Sequence, residues 1–453
     1  MRVLLISTYE LGRQPVHLAS PRAALSEAGH EVRSLDLSVT QLEQSHVDWP
    51  DAVALSVPMH TATRLAVPVL DEIRRHRSSM PVALYGLYAG QAAALVDVAF
   101  EGEYEPGLLS WLDGLAKTGL VRHTGRSAFS VPLREGLPGL DSYARLDLGD
   151  GEMLLAGAVE ASHGCRHRCR HCPIPAVYDG RMRVVPAEVV LADIDQLVVA
   201  GARHVTFGDA DFLNAPRHSI HLLEAAHANH PNVTFDATIK VSHILDHEGV
   251  WPHLASLNLL FVVSAFESVH DETLSILDKG HTVEDMVRSL EVVRSAGVHL
   301  RPSWLPFMPW TESVHVTELL RFIVENDLVE VTDPVQLAIK LLIPHGSLLE
   351  THPAVTPHLG EYDEDRLTWR WSFKDPEAEL LHKELEAIAA AGSDCGEHFG
   401  STLESMWRSV EAITGAELGP LSLGTPAPRL TESWFCCAEP TESQSISIGL
   451  TRK

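Results

Sequence analysis

The N-terminal part of the chain alternates compact apolar runs with amphipathic stretches. Val3–Ile6, Val53–Val57 and Pro81–Tyr85, with a shorter run near 96–100, suit strands buried on both faces. Between them, residues 21–29 read as a short helix closing on Gly29. Thr63–Arg75 keeps apolar residues at helical spacing, with arginines in its last turn to complement the helix dipole. Strand–helix alternation at these lengths predicts an α/β unit over residues 1–118, a flavodoxin-like parallel sheet flanked by helices. Ligands of such sheets bind at the carboxyl ends of the strands, which here carry Ser7–Tyr9, Ser56–His60 and Gly86–Gly90.

The alternation lapses over residues 119–152, where Gly136-Leu137-Pro138-Gly139 and Gly149-Asp150-Gly151 are turn chemistry, and this stretch is predicted to be a connector. It resumes over 153–350. Strands are expected at Met153–Val159, His204–Phe207, Val233–Ile239, within Leu259–Ser268, at Val298–Pro302 and at Val335–Ile343. Helices are expected at Pro186–Ala200 and Val283–Ala296. Residues 351–453 turn helical, at Pro376–Ala391 and Gly400–Thr414, then pass through a linker, Gly419–Pro428, into a tail. The last dozen residues have the composition of a disordered segment.

Composition changes this picture little. The chain has 453 residues, enough for two or three domains, and 45% apolar with 21% charged residues is ordinary for a globular protein. No apolar run is long enough for a transmembrane helix, and Met1–Tyr9 turns polar too soon for a signal peptide. A cytoplasmic, reducing location is expected, with no membrane partner. The formal charge of −26 repels phosphate backbones, which argues against a nucleic-acid partner and for a small-molecule substrate.

The chemistry concentrates in Ser162-His163-Gly164-Cys165-Arg166-His167-Arg168-Cys169-Arg170-His171-Cys172, three of the six cysteines spaced C-x3-C-x2-C after an apolar run. Thiolates this close can wrap an iron–sulfur cluster. Three ligands leave one iron of a [4Fe–4S] cluster open to a cofactor or substrate. A tetrahedral zinc site would need a fourth ligand, for which His163, His167 and His171 are candidates. A second signal is the adjacent pair Cys436–Cys437, on an aromatic-flanked tail, where neighbouring thiols can hold a soft element or carry a redox equivalent. Cys395 stands alone.

The cysteine loop resembles that of the radical SAM superfamily, whose signature has this spacing after the first strand of a partial barrel. One departure is His171, where the family often has an aromatic residue. The resemblance implies a partial (β/α)6 barrel over 153–350, with Cys165, Cys169 and Cys172 ligating a [4Fe–4S] cluster and S-adenosylmethionine on the fourth iron. It implies that Asp209 or Asp211, or a backbone carbonyl nearby, holds the SAM ammonium, the alternative being that both aspartates only cap turns. Lys240 would pair with the SAM carboxylate, unless it is an exposed strand-end lysine. Glu267, in a Glu-Ser pair followed by Leu277-Asp278-Lys279-Gly280, would bond a ribose hydroxyl or organise the strand end. His345 would face the site near adenine, or else lie in a surface turn.

Residues 1–118 resemble the cobalamin-binding domain that precedes this barrel in one large subclass, through Glu27–Val32, the turn after the third main strand and Asp97–Glu105. The usual Gly-Gly pair is replaced by Gly86–Gly90 and the Asp-x-His-x-x-Gly signature is absent, so cobalamin stands against a vestigial or substrate-holding domain. Cys436-Cys437-Ala438-Glu439-Pro440 resembles the tail of the CUAEP/CCAEP-tail radical SAM family. That implies a chemical use for Cys436 and Cys437: holding a thiophilic substrate such as arsenite, or a redox step, while a SAM-derived carbon is attached. An electron donor such as flavodoxin or ferredoxin is implied as a partner. The competing reading is a non-catalytic iron–sulfur or zinc-binding module. An RNA methylthiotransferase would need a second cysteine triplet upstream, and residues 1–164 contain no cysteine.

Overall fold

A computed structural model describes residues 1–114, 118–432, 438–440 and 444. Two parallel sheets organise it, one in each of two domains.

The first sheet is built from β1 (Arg2–Ser7), β2 (Glu31–Asp36), β3 (Ala52–Ser56), β4 (Val82–Tyr85), β5 (Val98–Gly102) and β6 (Gly119–His123), in the order β2-β1-β3-β4-β5-β6, every pair parallel. The crossover helices are α1 (Val16–Glu27), α2 (Gln44–Asp48), α3 (His60–His76) and α4 (Glu105–Leu112). β1, β3 and β4 are almost wholly buried, as their unbroken apolar runs require. Strand order reverses between β1 and β3, which pair Ser7 with Ser56, so the crevice above them is the topological switch point. β6 lies beyond the expected boundary at 118; its residues are too exposed and mixed to announce a strand.

The connector does more than bridge. β7 (Arg145–Asp147) pairs antiparallel with β8 (Met153–Val159) and extends the second sheet. Arg134 is buried and forks onto Asp193 at 2.5 and 2.7 Å, and it also donates to Gln14 Oε1 and Ala158 O, tying the connector to both domains.

The second sheet continues from β8, past a small hairpin of β9 (Ser162–Gly164) and β10 (Met182–Val184), to β11 (His204–Phe207), β12 (Thr234–Thr238), β13 (Leu259–Glu267) and β14 (His299–Trp304). Strands β8 and β11 to β14 run parallel as a curled half-barrel. Helices α5 (Ile174–Tyr178), α6 (Ala187–Val199), α7 (Pro216–Asn229), α8 (Val241–Asp246), α9 (Trp251–Ser256), α10 (Asp271–Ile276), α11 (Val283–Ser295) and α12 (Ser313–Glu325) lie in the crossovers and after β14. Phe207, Phe235, Phe266, Trp304 and Phe307 fill the core. The expected sixth strand at 335–343 is a correction: Pro334–Ala338 is a 3₁₀ turn, and only Phe307 and Lys340 form a parallel bridge. Pro334 supplies no amide hydrogen for a ladder, so the chain turns where a strand would begin.

The antiparallel hairpin β15 (Leu359–Asp363) and β16 (Thr368–Trp371) follows, then α13 (Pro376–Asp394) and α14 (Phe399–Thr414). Leu381, Leu385, Leu403 and Trp407 of these helices join the half-barrel core. β17 (Arg429–Leu430) returns to pair with β7 at the sheet edge. Beyond the Gly419–Pro428 linker the chain is therefore anchored at 429–431.

Candidate active site at the half-barrel mouth

The cysteine loop rises from the carboxyl end of β8 on the β9–β10 stem. Gly164, immediately before Cys165, has φ +76°, and a Cβ there would lie 2.5 Å from Arg181 O and 2.7 Å from Tyr178 Cδ1. Only glycine fits both that conformation and that space. The loop is pinned to the far side of the mouth by Arg170, whose backbone N–H donates to Leu277 O and whose guanidinium donates to Ser275 O and Ile276 O. Cys165, Cys169 and Cys172 are free thiols, Cys169 buried and the others half-buried. Burial pushes the Cys172 thiol up to about 12 and raises Cys165, so without a positive partner they stay protonated. A metal removes those protons on binding.

Around the thiols the strand ends supply paired charges. Glu267 ends β13 with φ +67°, beside a bulge against β14. Such a conformation is costly outside glycine and is kept where the surroundings impose it. Its carboxylate meets Lys279 Nζ at 3.2 Å and His171 Nε2 at 3.1 Å. Burial opposes ionisation, yet Lys279 and His171 hold Glu267 down at about 2. His171, the loop's departure from an aromatic residue, is thus the loop's bond to β13. Lys279 is buried; burial disfavours its charge, but Glu267 and Cys169 more than compensate and raise it.

Asp209 and Asp211, both buried after β11, have different partners. Asp209 accepts from Ala161 N at 2.9 Å and from Ser162 Oγ, bracing the base of the cysteine loop, and burial raises it to about 6. Asp211 lies 2.7 Å from His243 Nδ1 and 3.5 Å from His167 Nε2. Burial works against its charge, but the two imidazoles hold it below its ordinary value. Ligand atoms of His167, Asp211 and His243 all fall within 4.8 Å of one another. Lys240, half-buried, places Nζ 3.2 Å from His167 Nδ1, and burial lowers it. Asn214 Nδ2 donates to Cys165 Sγ at 3.3 Å.

The structure therefore gathers Cys165, Cys169, Cys172, Asp211, Lys240 and Glu267 at one mouth. His345 shares no hydrogen bond or ion pair with them among the described residues. Its ring stacks on Tyr362 at 3.7 Å, and its backbone exchanges two hydrogen bonds with Gln91 of the first domain. Cys436 and Cys437 lie outside the described residues. Sequence reasoning missed His243, Asn214 and Lys279. His243 falls three residues after Lys240 on the first turn of α8, a spacing that returns it to the same side of the loop.

The first domain meets this mouth through ions. His163 Nδ1 lies 2.9 Å from Glu103 and its Nε2 3.3 Å from Glu160, while His17 bridges Glu10 at 2.9 Å and Glu160 at 3.7 Å.

Residues 159–309 match the family model described as the radical SAM superfamily. This stretch is a radical SAM domain. The match runs from the end of β8 to the loop after β14, which is the half-barrel and its cysteine loop. Among curated proteins, the chain is 25% identical over 318 residues to the hopanoid C-3 methylase of Methylococcus capsulatus (strain Bath), spanning 63% of this chain and 59% of that protein. The hopanoid C-2 methylase of Rhodopseudomonas palustris (strain TIE-1) is 28% identical over 78 residues, covering 17% and 15%. Among solved structures, the cobalamin-dependent SAM radical enzyme OxsB, with aqua-cobalamin and SAM bound, superposes with TM-score 0.66 at 15% identity over 91% of this chain and 70% of that one. The radical SAM methyltransferase TsrM of Kitasatospora setae gives 0.57 at 19% identity over 73% and 72%. At these identities the solved structures establish a shared fold: a radical SAM half-barrel preceded by an α/β domain.

Proposed function

We propose that the protein is a radical SAM enzyme that cleaves S-adenosylmethionine reductively and attaches a SAM-derived carbon to a small-molecule substrate, by methylation or another alkylation. The carrying observation is the convergence of three free thiols, two lysines and the Glu267 carboxylate at the carboxyl ends of the half-barrel strands. The loop histidines favour an open cluster over tetrahedral zinc. Both nitrogens of His163 and of His167 already face charged partners, and Nε2 of His171 meets Glu267. A [4Fe–4S] cluster held by Cys165, Cys169 and Cys172 supplies, when reduced, the electron that breaks a carbon–sulfur bond of SAM. The chain's own residues bind and orient. Lys240 is offered to the methionyl carboxylate and Asp211, near its two imidazoles, to the ammonium, with Asp209 holding the loop base beneath. Glu267, kept ionised by Lys279, accepts from a ribose hydroxyl. A protein electron donor such as flavodoxin or ferredoxin would serve the cluster.

Cobalamin fits the first domain on one count. Ser7 Oγ, at the end of β1, is buried with no hydrogen bond among the described residues, which suits an amide-rimmed ligand. Gly86, at φ +119°, lets the turn after β4 pack on the end of β3, where a Cβ would lie 2.9 Å from the Val57 carbonyl. The bulk in that crevice is Tyr88, edge-on to His60 with ring centroids 6.2 Å apart. A corrinoid held there would supply a transferable methyl group. Methylase relatives and cobalamin-dependent neighbours support this choice. Cys436 and Cys437 are assigned to a thiophilic substrate such as arsenite, or to a redox step.

Anaerobic reconstitution with iron, sulfide and hydroxocobalamin, followed by metal analysis and spectra, tests both cofactors. A brown protein with about four irons and bound corrinoid is expected. A colourless zinc protein would overturn the proposal.

A further inference from the structure

The tail was singled out for its cysteines; among its described residues, the Ala-Glu pair docks on the first domain. Thr61 Oγ1 donates to Ala438 O at 2.9 Å, and Arg64 Nε donates to Glu439 Oε2 at 3.0 Å. The other Glu439 oxygen lies 3.6 Å from Nε2 of His60, a residue 1% exposed. Ala438 packs on the apolar cluster of the first domain that contains Met59 and Ala62. All three recognising side chains sit on the first turns of α3, a 17-residue helix whose N-terminal amides favour a carboxylate. That helix leaves β3 at the switch-point crevice, where sheets of this order bind ligands. Burial works against the Glu439 charge, and His60 and Arg64 still hold it below the ordinary carboxylate range.

A second anchor precedes the cysteines. β17 pairs with β7 through Arg429–Asp147 and Leu430–Leu146, and Thr431 exchanges two further bonds with Arg145. Glu432 packs over Gly12 of the first domain.

We propose that His60, Thr61 and Arg64 form a docking site for the chain's own Ala438–Glu439, and that this site and the β7–β17 pairing hold the C-terminal tail by both ends across the two domains. Glu439 is a positioning residue: it acts through the tail and not on substrate. In sequence, the cysteine pair lies between the anchors, directly before Ala438. Docking stands apart from what the cysteines do; its consequence for product formation rests on the dithiol reading above.

Hydrogen–deuterium exchange on the full-length reconstituted protein, without substrate, tests docking. Glu439→Gln and Arg64→Met should each speed exchange of the Ala438 and Glu439 amides and of those in the first turn of α3, roughly tenfold for a part-buried ion pair. The double variant should match the single ones, because a shared contact can be lost only once. Thr61→Val should give a smaller change of the same kind. Wild-type exchange in both single variants, or effects that multiply in the double variant, would overturn the proposal; an unchanged melting temperature excludes general unfolding as the source. If the tail docks as proposed while Cys436→Ser/Cys437→Ser leaves product yield unaltered, the dithiol reading fails and the docking site stands.

Discussion

The carboxyl edges of two parallel sheets meet in this molecule, and they are furnished differently. The half-barrel edge carries its own charge pairs: Lys279 with Glu267, His243 and His167 with Asp211, and Lys240 within reach of both loop and strand end. The Asp211 and Lys240 contacts join residues from different strand-end loops, and Glu267 also reaches His171 of the cysteine loop, so the mouth is assembled before anything enters it. The first-domain edge carries its charges on the flanks, Glu10 after β1 with His17 and Glu103 after β5 with His163, while its switch-point crevice is neutral and aromatic. Tyr9, Tyr88 and His60 are buried there, and a polar complement comes from a tail more than 350 residues away. A balanced ionic shell suits a small charged cofactor whose position must be fixed to fractions of an ångström. A neutral crevice with one cationic rim suits docking.

The sharpest break in this comparison is removal of a thiol. Cys165→Ala should abolish the brown absorbance of the reconstituted protein and reduce SAM cleavage by about a thousandfold or more, since the carbon–sulfur bond has no other electron source here. Chromatography of 5′-deoxyadenosine under dithionite measures it. Retained cleavage would mean the mouth's shell is not built for a cluster.

The next effect comes from breaking a pair. Lys279→Met strands the buried Glu267 carboxylate and should cost about 3–5 kcal/mol in denaturant unfolding, whereas Lys279→Met with Glu267→Gln should recover much of it. Because Glu267 is held near 2, its contribution is present above its ordinary value of 4.5 and fades as pH falls through about 2. The single variant's deficit should therefore shrink in acid. Equal deficits in the single and double variants would show that Lys279 acts by packing alone.

Gly164→Ala should cost less, about 1–3 kcal/mol, by combining a positive φ with a Cβ against Arg181 O. Its signature is loss of cluster retention with the first domain intact. The comparable change in the other edge, Gly86→Ala, should leave the cluster spectrum unaltered and weaken only what the first domain holds.

How much of this was visible in the sequence differs between the same two edges. The cysteine loop, Glu267 and Lys240 announced themselves because charged or thiol residues at strand ends contrast with apolar strands. Buried pairing did not: Lys279 looked like part of a turn, and His243 and Asn214 acquire meaning only when the loops after β8, β11 and β12 converge. β6 and the missing sixth strand failed for opposite reasons, one too polar to read as a strand, the other apolar but opened by Pro334. The contacts at 429–431 and 438–439 were not legible because they are made by short side chains, one arginine and a two-residue strand, and composition over a window averages these away.

The smallest effect concerns the joint between the edges. His17, on α1, stands between Glu10 of its own domain and Glu160, which precedes the cysteine loop. Burial disfavours its charge, but the two carboxylates win and raise it to about 9. A raised folded value means the stabilisation is complete below the ordinary 6.5 and disappears as pH climbs through about 9. His17→Gln should thus lower the apparent melting temperature by a few degrees at pH 6, on the order of 1–2 kcal/mol, and by nothing at pH 10. If the deficit persisted at pH 10, His17 would be holding the domains by shape and its two hydrogen-bonding faces. The ionic joint would then reduce to His163, whose partners Glu103 and Glu160 raise it well above its ordinary value and would keep the edges together on their own.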